Sequence, residues 1–439
     1  MAATTDTRTE GQKPEKLHFI IVGGSLGGLA TGIALKALGH DTTILERNPT
    51  PLLHDQGAGI VAGGHALEFL QRYNRCQRQV VSVPSTCRQY LDRDGNVIHT
   101  VAASHDMSSW DLCYFLMRAN YDRTSSPYCD VPPLDPSHGT AVHHHNRNVT
   151  SVLPQGSGVV VSWTSTTDPS VTGTLTADIL IGADGPGSTI RSLFAPTERT
   201  YAGYCALRGT VPEHAATPST LATFREKFTF FHANGLQILA YLIPGKNGTV
   251  QPGERLINFV YCTNFPQGSP GLEEILTDRH GRRHRITLPP GLTDAVAWER
   301  QKGIAREKLP PQFADIVCAA ERPFVQAVTD VISPTNEFLN GRVVLIGDAL
   351  AGFRPHTVAS TAQAAYDAIL YADFVGGRVS REEWKRKTMG YARFVQERGV
   401  RMGERSQFGG LGVDEMIRDR DEASEPVTEE LFLPWAADI

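Results

Sequence analysis

Apolar positions along the chain fall into two patterns. In the first, a short unbroken apolar run ends on glycine and gives way to a helical period. "LHFIIVGG" (Leu17–Gly24) predicts a strand buried on both faces, and Leu29, Ile33, Leu35 and Leu38 predict a helix that stops at Gly39. "DTTILER" predicts a second strand, with Glu46 at its end. The theme returns in "LTADILIGADGPGSTIRSLF" (Leu175–Phe194), where Ser188 is suited to cap a helix with Arg191 in its first turn. It returns again in Gly341–Val375, where Val343–Ile346 runs into Gly347-Asp348, a loop with Pro355 and an alanine-rich helix. In the second pattern, β-branched and aromatic runs are separated by turns. "CRQYLDRDGNVIHTV" predicts a hairpin about a "DG" turn, and "YCALRGTVPE", "FTFFHANGLQILAYLIPG" and "RLINFVYCT" predict strands of the same sheet. Together the patterns predict an α/β protein with a Rossmann-like part and a β-rich part.

Length and composition bound the rest. A chain of 439 residues has room for two or three domains, and 41% hydrophobic with 20% charged residues is ordinary for a globular protein. A net charge of -5 gives no electrostatic reason to expect nucleic acid or an anionic membrane as partner. The basic run "DRHGRRHR" (Asp278–Arg285) reads as a solvated hairpin, since it contains Gly281 and is soon followed by "PPG". Seven scattered cysteines without CxxC spacing argue against a disulfide framework or a structural zinc, and suggest a reducing, cytoplasmic setting. The polar residues 1–17 lack a signal-peptide core and predict a disordered tail. No stretch approaches the roughly 20 apolar residues of a membrane span. The acidic end, from about Asp419, contains "LFLPW", suited to pack on the body or on a partner.

The turn "IVGGSLGGLA" (Ile21–Ala30) admits two chemistries. As Gly23-x-Ser25-x-x-Gly28 it is a dinucleotide-binding turn whose middle glycine has become serine. As Gly23-x-Ser25-x-Gly27 it fits the nucleophile elbow of an α/β-hydrolase, with Ser25 attacking an ester. Context favours the first: the motif sits on the first strand, no HGGG-like segment precedes it, and Glu46 lies about 20 residues on, placed to accept from ribose hydroxyls. "HHHN" puts His143 and His145 on one face of a strand. A metal needs at least three convergent ligands, so none is expected.

With the Asp184-Gly185 and Gly347-Asp348 turns following in order, the chain resembles the class A flavoprotein aromatic hydroxylases, the single-component FAD-dependent monooxygenases of the para-hydroxybenzoate hydroxylase (GR2) type. The resemblance runs from about Leu17 to about Arg398. Phrases such as "VGGSLGGL", "SVPSTCRQYLDRDG", "LRGTVPE" and "RPHTVASTAQAAYDA" look more particularly like the 2,6-dihydroxypyridine 3-monooxygenase branch. It implies an FAD-binding domain from residues 18–82, 105–198 and 320–400, an inserted β-sheet substrate domain from 83–104 and 199–319, and a C-terminal helix and tail from 401–439. It implies that Gly23, Gly24, Ser25, Leu26 and Gly28 hold the FAD pyrophosphate, with Glu46 and Arg47 at the adenosine. Asp184 and Gly185 would serve both FAD and the nicotinamide nucleotide, while Gly347 and Asp348 face the ribityl chain. Pro355, Val358 and Ala359 would lead into a helix whose N-terminus points at the flavin.

The same resemblance implies NADPH or NADH as transient co-substrate, and O2 activated as a flavin C4a-hydroperoxide. The substrate would be a small phenolic or hydroxylated N-heteroaromatic ring, and decarboxylation is a variant of the same chemistry. Candidate residues around that ring are His356, Pro355, Arg208, His232 and Tyr241, with histidine the expected base. Two departures from the pattern stand out. "PxxGQG" has become Pro355-His356-Thr357-Val358-Ala359-Ser360, and an arginine expected early in one helix falls at about Ser109, with Arg118 as a substitute from a later turn. A monomer or homodimer is expected. A flavin epoxidase or other flavin oxidoreductase, and the Ser25 hydrolase, are the alternatives.

Overall fold

The computed structural model describes residues 15–50, 59–78, 80–410, 412–423 and 427–436. The tail expected over residues 1–17 lies almost wholly outside them. Two sheets organise the chain. The first has six strands in the order Glu337–Phe338, Val343–Leu345, Ile179–Gly182, His18–Val22, Asp41–Leu45, Ala141–His144, parallel except for the first. Its central strand is buried on both faces for the reason its unbroken apolar run implies. Phe19 and Ile21 pack under the helices Leu26–Ala37, Trp110–Asp122 and Ser360–Val375, while Ile20 and Val22 pack against a small sheet of Asn148–Gln155, Gly158–Thr164 and Thr172–Ala177.

The second sheet has ten strands, and its centre is antiparallel: Thr200–Pro212, Leu256–Asn264, Leu236–Ile243 and Lys227–Ala233. Period-two alternation sorts its side chains. Leu207, Ile257 and Phe259 face the helices Ala295–Lys308 and Pro311–Ala319, whereas Tyr204, Phe228, Phe230, Tyr241 and Val260 form the opposite face. That face looks toward the first sheet and is also covered by Ile417 of the helix Val413–Ala423.

Four segments depart from the divisions drawn from the sequence. Phe324–Ile332 and Gly59–Val61 pair into the large sheet rather than the first, because backbone pairing partners across space outrank position in the chain. The hairpin strand Val97–Ser109 runs past residue 104. The helix Arg381–Phe408 passes uninterrupted through the division at residues 400 and 401. It links the two layers: Trp384 and Tyr391 sit in the first core, and at its far end Ser406 donates to Gln237 of the large sheet. The "LFLPW" segment packs on the body, with Phe432 buried beside Tyr366 and Tyr391.

Candidate active site

Between the layers lies a cleft of about 640 Å³. Its first wall is made of backbone. A Cβ on Gly28 would stand 1.9 Å from the Gly23 carbonyl oxygen, and one on Gly23, whose φ is +106°, would stand 2.3 Å from that of Ala183. Only glycine fits either place, and the strand and helix close together as a result. Ser25 tolerates its side chain in ordinary extended backbone (φ -85°, ψ -170°), and its hydroxyl does not cap the helix it precedes. The first N–H groups of Leu26–Ala37 therefore face the cleft without a side-chain partner. Glu46 shapes the turn: one carboxylate oxygen accepts from Gly24 N (2.7 Å) and the other from Asn48 N (2.8 Å). Arg47 and Leu26 line the cleft beside it.

The other two turns converge on the same space. Asp184 accepts from the Ser188 hydroxyl (2.5 Å) and from Thr189 N (2.6 Å), so its carboxylate anchors the short helix behind it while it borders the cleft with Gly185. Arg191 donates to the carbonyls of Pro186 and Ala349 and pins this turn to the next. There Gly347 N donates to Asp367 (2.7 Å), and Asp348 stands in the cleft wall. Burial pushes the Asp348 carboxyl up to about 6, partly offset by the Ser360 side chain and Arg199, and its Oδ1 is buried without a partner. Beyond it the helix Ser360–Val375 starts with no side-chain cap at Ala359. Val358 is held at φ +49°, a strained place for a β-branched residue, and also borders the cleft.

Two uncapped helix N-termini, a run of free backbone donors and one orphaned buried acceptor suit a ligand that is anionic in its middle and hydroxylated beside it. FAD has that chemistry. The nucleophile-elbow alternative finds no support. Ser25 is unstrained, and among the described residues no histidine lines the cleft.

The second wall is made of side chains. Arg208, Tyr241, Leu239 and Val260 present themselves from adjacent strands, in register at Arg208↔Val260 and Leu239↔Val260. Burial lowers the Arg208 pKa and raises that of Tyr241 above its usual range, and each charge favours the other. Among the described residues no carboxylate lies within 4.0 Å of Arg208, and its Nε is unpartnered. Pro355 joins this wall from the loop before the long helix.

Not every expected residue arrives. His356 turns away from the cleft: its Nε2 meets the Tyr204 hydroxyl at 2.9 Å, and Arg420 donates to its carbonyl. Burial first, then Arg420, drives its pKa well below the histidine range. The cause is the neighbouring Arg354, whose paired contacts to Asp330 and Glu404 fix the turn so that Pro355 takes the cleft side. His232 lies in an aromatic cluster with Tyr90 and Phe230 outside the cleft, and burial holds its pKa down to about 3. Neither histidine is placed to take a proton from a ring in the cleft. Arg118 is likewise engaged elsewhere, with Asp122 and the Tyr114 hydroxyl, and Ser109 caps its helix. His143 and His145 do share a face, with ring centroids 4.3 Å apart. Sequence reasoning missed Arg199, Gln326 and Trp110, all on the cleft wall, because none belongs to a spaced motif.

Known proteins bear on this geometry. Residues 201–330 match a family model described as FAD binding domain-like. The chain is 28% identical over 409 residues to 2,6-dihydroxypyridine 3-monooxygenase of Paenarthrobacter nicotinovorans, covering 90% of this chain and 93% of that protein. It is 25% identical to the FAD-dependent urate hydroxylase of Mycolicibacterium vanbaalenii over 80% of this chain and 78% of that one. The solved structure of 2,6-dihydroxypyridine-3-hydroxylase from Arthrobacter nicotinovorans superposes with a TM-score of 0.78 at 26% identity, covering 91% and 95% of the two chains. The matches support a flavoprotein that binds FAD, and over nearly its whole length the chain is similar to the flavin-dependent aromatic hydroxylases. Within them, the likeness to the dihydroxypyridine enzyme spans nearly the whole of both chains.

Proposed function

We propose that this protein is an FAD-dependent monooxygenase that takes electrons from NADPH or NADH and places one oxygen atom of O2 on a hydroxylated ring, bound as its anion. The observation that carries the reading is the union of two walls in one cleft: backbone donors and helix N-termini opposite a buried arginine with no carboxylate partner. The names of the relatives, dihydroxypyridine and urate among them, describe electron-rich hydroxylated N-heterocycles.

FAD, when bound, supplies two-electron reduction by the nicotinamide and activation of oxygen. The chain supplies the rest. The free N–H groups at Leu26 hold the pyrophosphate, and Asp348 accepts from the ribityl hydroxyls. The uncapped N-terminus of Ser360–Val375 would lend positive potential to the flavin end of the cofactor. Arg208 holds an anionic oxygen or carboxylate of the substrate, keeping the ring ionised and electron-rich. The Tyr241 hydroxyl, neutral across the physiological range, orients a second polar group. Leu239, Val260 and Pro355 exclude water from the reacting face.

The test is direct. The purified protein is expected to be yellow, and its NAD(P)H oxidation to be stimulated by a member of a panel of hydroxypyridines, hydroxypurines, phenols and hydroxybenzoates. A flavin-containing protein unresponsive to every aromatic would instead favour an epoxidase or another flavin oxidoreductase.

A further inference from the structure

A second cavity, about 1070 Å³, adjoins the cleft and shares Pro186, Gly187, Arg199 and Thr329 with it. One side is the turn after Ile179–Gly182 and its short helix. The other is the basic hairpin Asp278–Arg285, held in shape by Asp278, which accepts from the backbone of His280 and Arg282 and from His284. In a chain of net charge -5 this lining gathers Arg191, Arg199, Arg283 and Arg285 against the single carboxylate of Glu198. Arg283 pairs with Glu273. Among the described residues the other three have no carboxylate within 4.0 Å.

Arg191 spends its guanidinium on backbone carbonyls. Arg199 is half-buried and braced by Thr329 (2.7 Å); burial, Arg191 and Arg285 oppose its charge, and Asp348 across the shared border favours it. Arg285 is exposed at the rim. Four arginines gathered against fewer carboxylates repel one another, and such a groove is stabilised by an anion. It also meets the cleft at a defined place. Pro186 packs against Gly352, where an added Cβ would be 3.1 Å away, and Gly352 opens the loop that leads to Pro355.

We infer that this groove is the binding site for the phosphates of the nicotinamide dinucleotide, with Arg199 and Arg285 as its anion contacts and the nicotinamide end directed across the shared border into the cleft. The hairpin is thereby part of the co-substrate site. The inference rests on the monooxygenase reading, since it needs a pyridine nucleotide as electron donor.

Arg285→Glu and the pair Arg283→Glu/Arg285→Glu test it, because both positions are exposed and neither lies in the cleft. The FAD-loaded protein, saturated with the aromatic of the panel that stimulates it, is mixed with NADPH or NADH without oxygen, and the dissociation constant is read from the concentration dependence of flavin bleaching. Titration calorimetry with NADP+ and NAD+ gives an independent value. Expected is a rise of about tenfold or more in the dissociation constant, with a weaker dependence on salt than in the parent. FAD content and affinity for the aromatic ring stay as in the parent. A loss confined to NADPH supports the site with the 2′-phosphate at Arg285, and an equal loss for both supports it with the pyrophosphate there. Dissociation constants within twofold of the parent for both nucleotides overturn the assignment. A parent protein whose flavin neither nucleotide bleaches overturns the monooxygenase reading instead.

Discussion

The two walls of the cleft are built from different materials. On the dinucleotide side, groups that face the ligand are main-chain N–H donors and helix ends, and side chains such as Glu46, Asp184 and Asp367 mainly hold turns in place. On the sheet side, the backbone is fully engaged in strand pairing, and everything offered to the ligand is a side chain. The first wall offers mostly main-chain groups, and a side chain added at its tight glycines breaks the geometry. The second offers side chains, and a substitution there is expected to change what the cleft accepts while leaving the fold intact.

The sharpest way to break that contrast is Gly28→Val. Its side chain would start 1.9 Å from the Gly23 carbonyl, so strand and helix must separate. The variant should be colourless or insoluble, measured as flavin absorbance per protein; a yellow, active Gly28→Val would show that the first wall is not built on backbone contact. Next is Arg208→Met. It should retain FAD yet lose about 100-fold or more in kcat/KM for the aromatic substrate, since a charged hydrogen bond in a buried site is lost. The same variant should melt at a higher temperature than the parent, because an unpaired buried cation is replaced by an apolar chain of similar length. A drop in both activity and Tm would give Arg208 a structural role.

A smaller effect should come from Asp367→Asn. Burial raises the Asp367 carboxyl from 3.8 to about 8, with Asp348 adding to the rise. The folded chain holds this proton more tightly than the unfolded one, so stability present at low pH is lost as pH climbs through that window. The parent Tm should fall between pH 5 and pH 8, and Asp367→Asn, which keeps an acceptor for Gly347 N, should flatten the fall by on the order of a few °C. An unchanged slope would place the titration elsewhere. Smallest of all is Ser25→Gly, which should leave flavin content and turnover within about twofold of the parent; a colourless, inactive variant would give Ser25 a role that its unstrained backbone does not suggest.

The same division explains what the sequence revealed. The first wall was legible because each of its parts is a residue type that geometry leaves no choice about: Gly23 and Gly28 at the tight turn, Glu46 at a strand end, the Gly347-Asp348 step before a helix. The strands of the second sheet were legible from their alternation. Which of their residues reach the cleft was not, because neither register nor the neighbour across a strand is written in local spacing. Arg208 and Tyr241 line the cleft as expected. His232 sits two strands further over from Val260, and His356 was turned inward by contacts of Arg354 with Asp330 and Glu404, residues distant in the chain.

The strand order of the first sheet has a consequence for how the holoprotein is made. Its three central neighbours come from His18–Val22, Ile179–Gly182 and Val343–Leu345, so the sheet is stitched from widely separated stretches with the whole large sheet formed in between. Such pairings carry a high loop-closure entropy and form slowly. The nascent βαβ segment alone offers only one of the two helix ends that face the flavin. FAD capture is therefore expected late in folding, with the cofactor sealing a finished chain rather than templating an unfinished one.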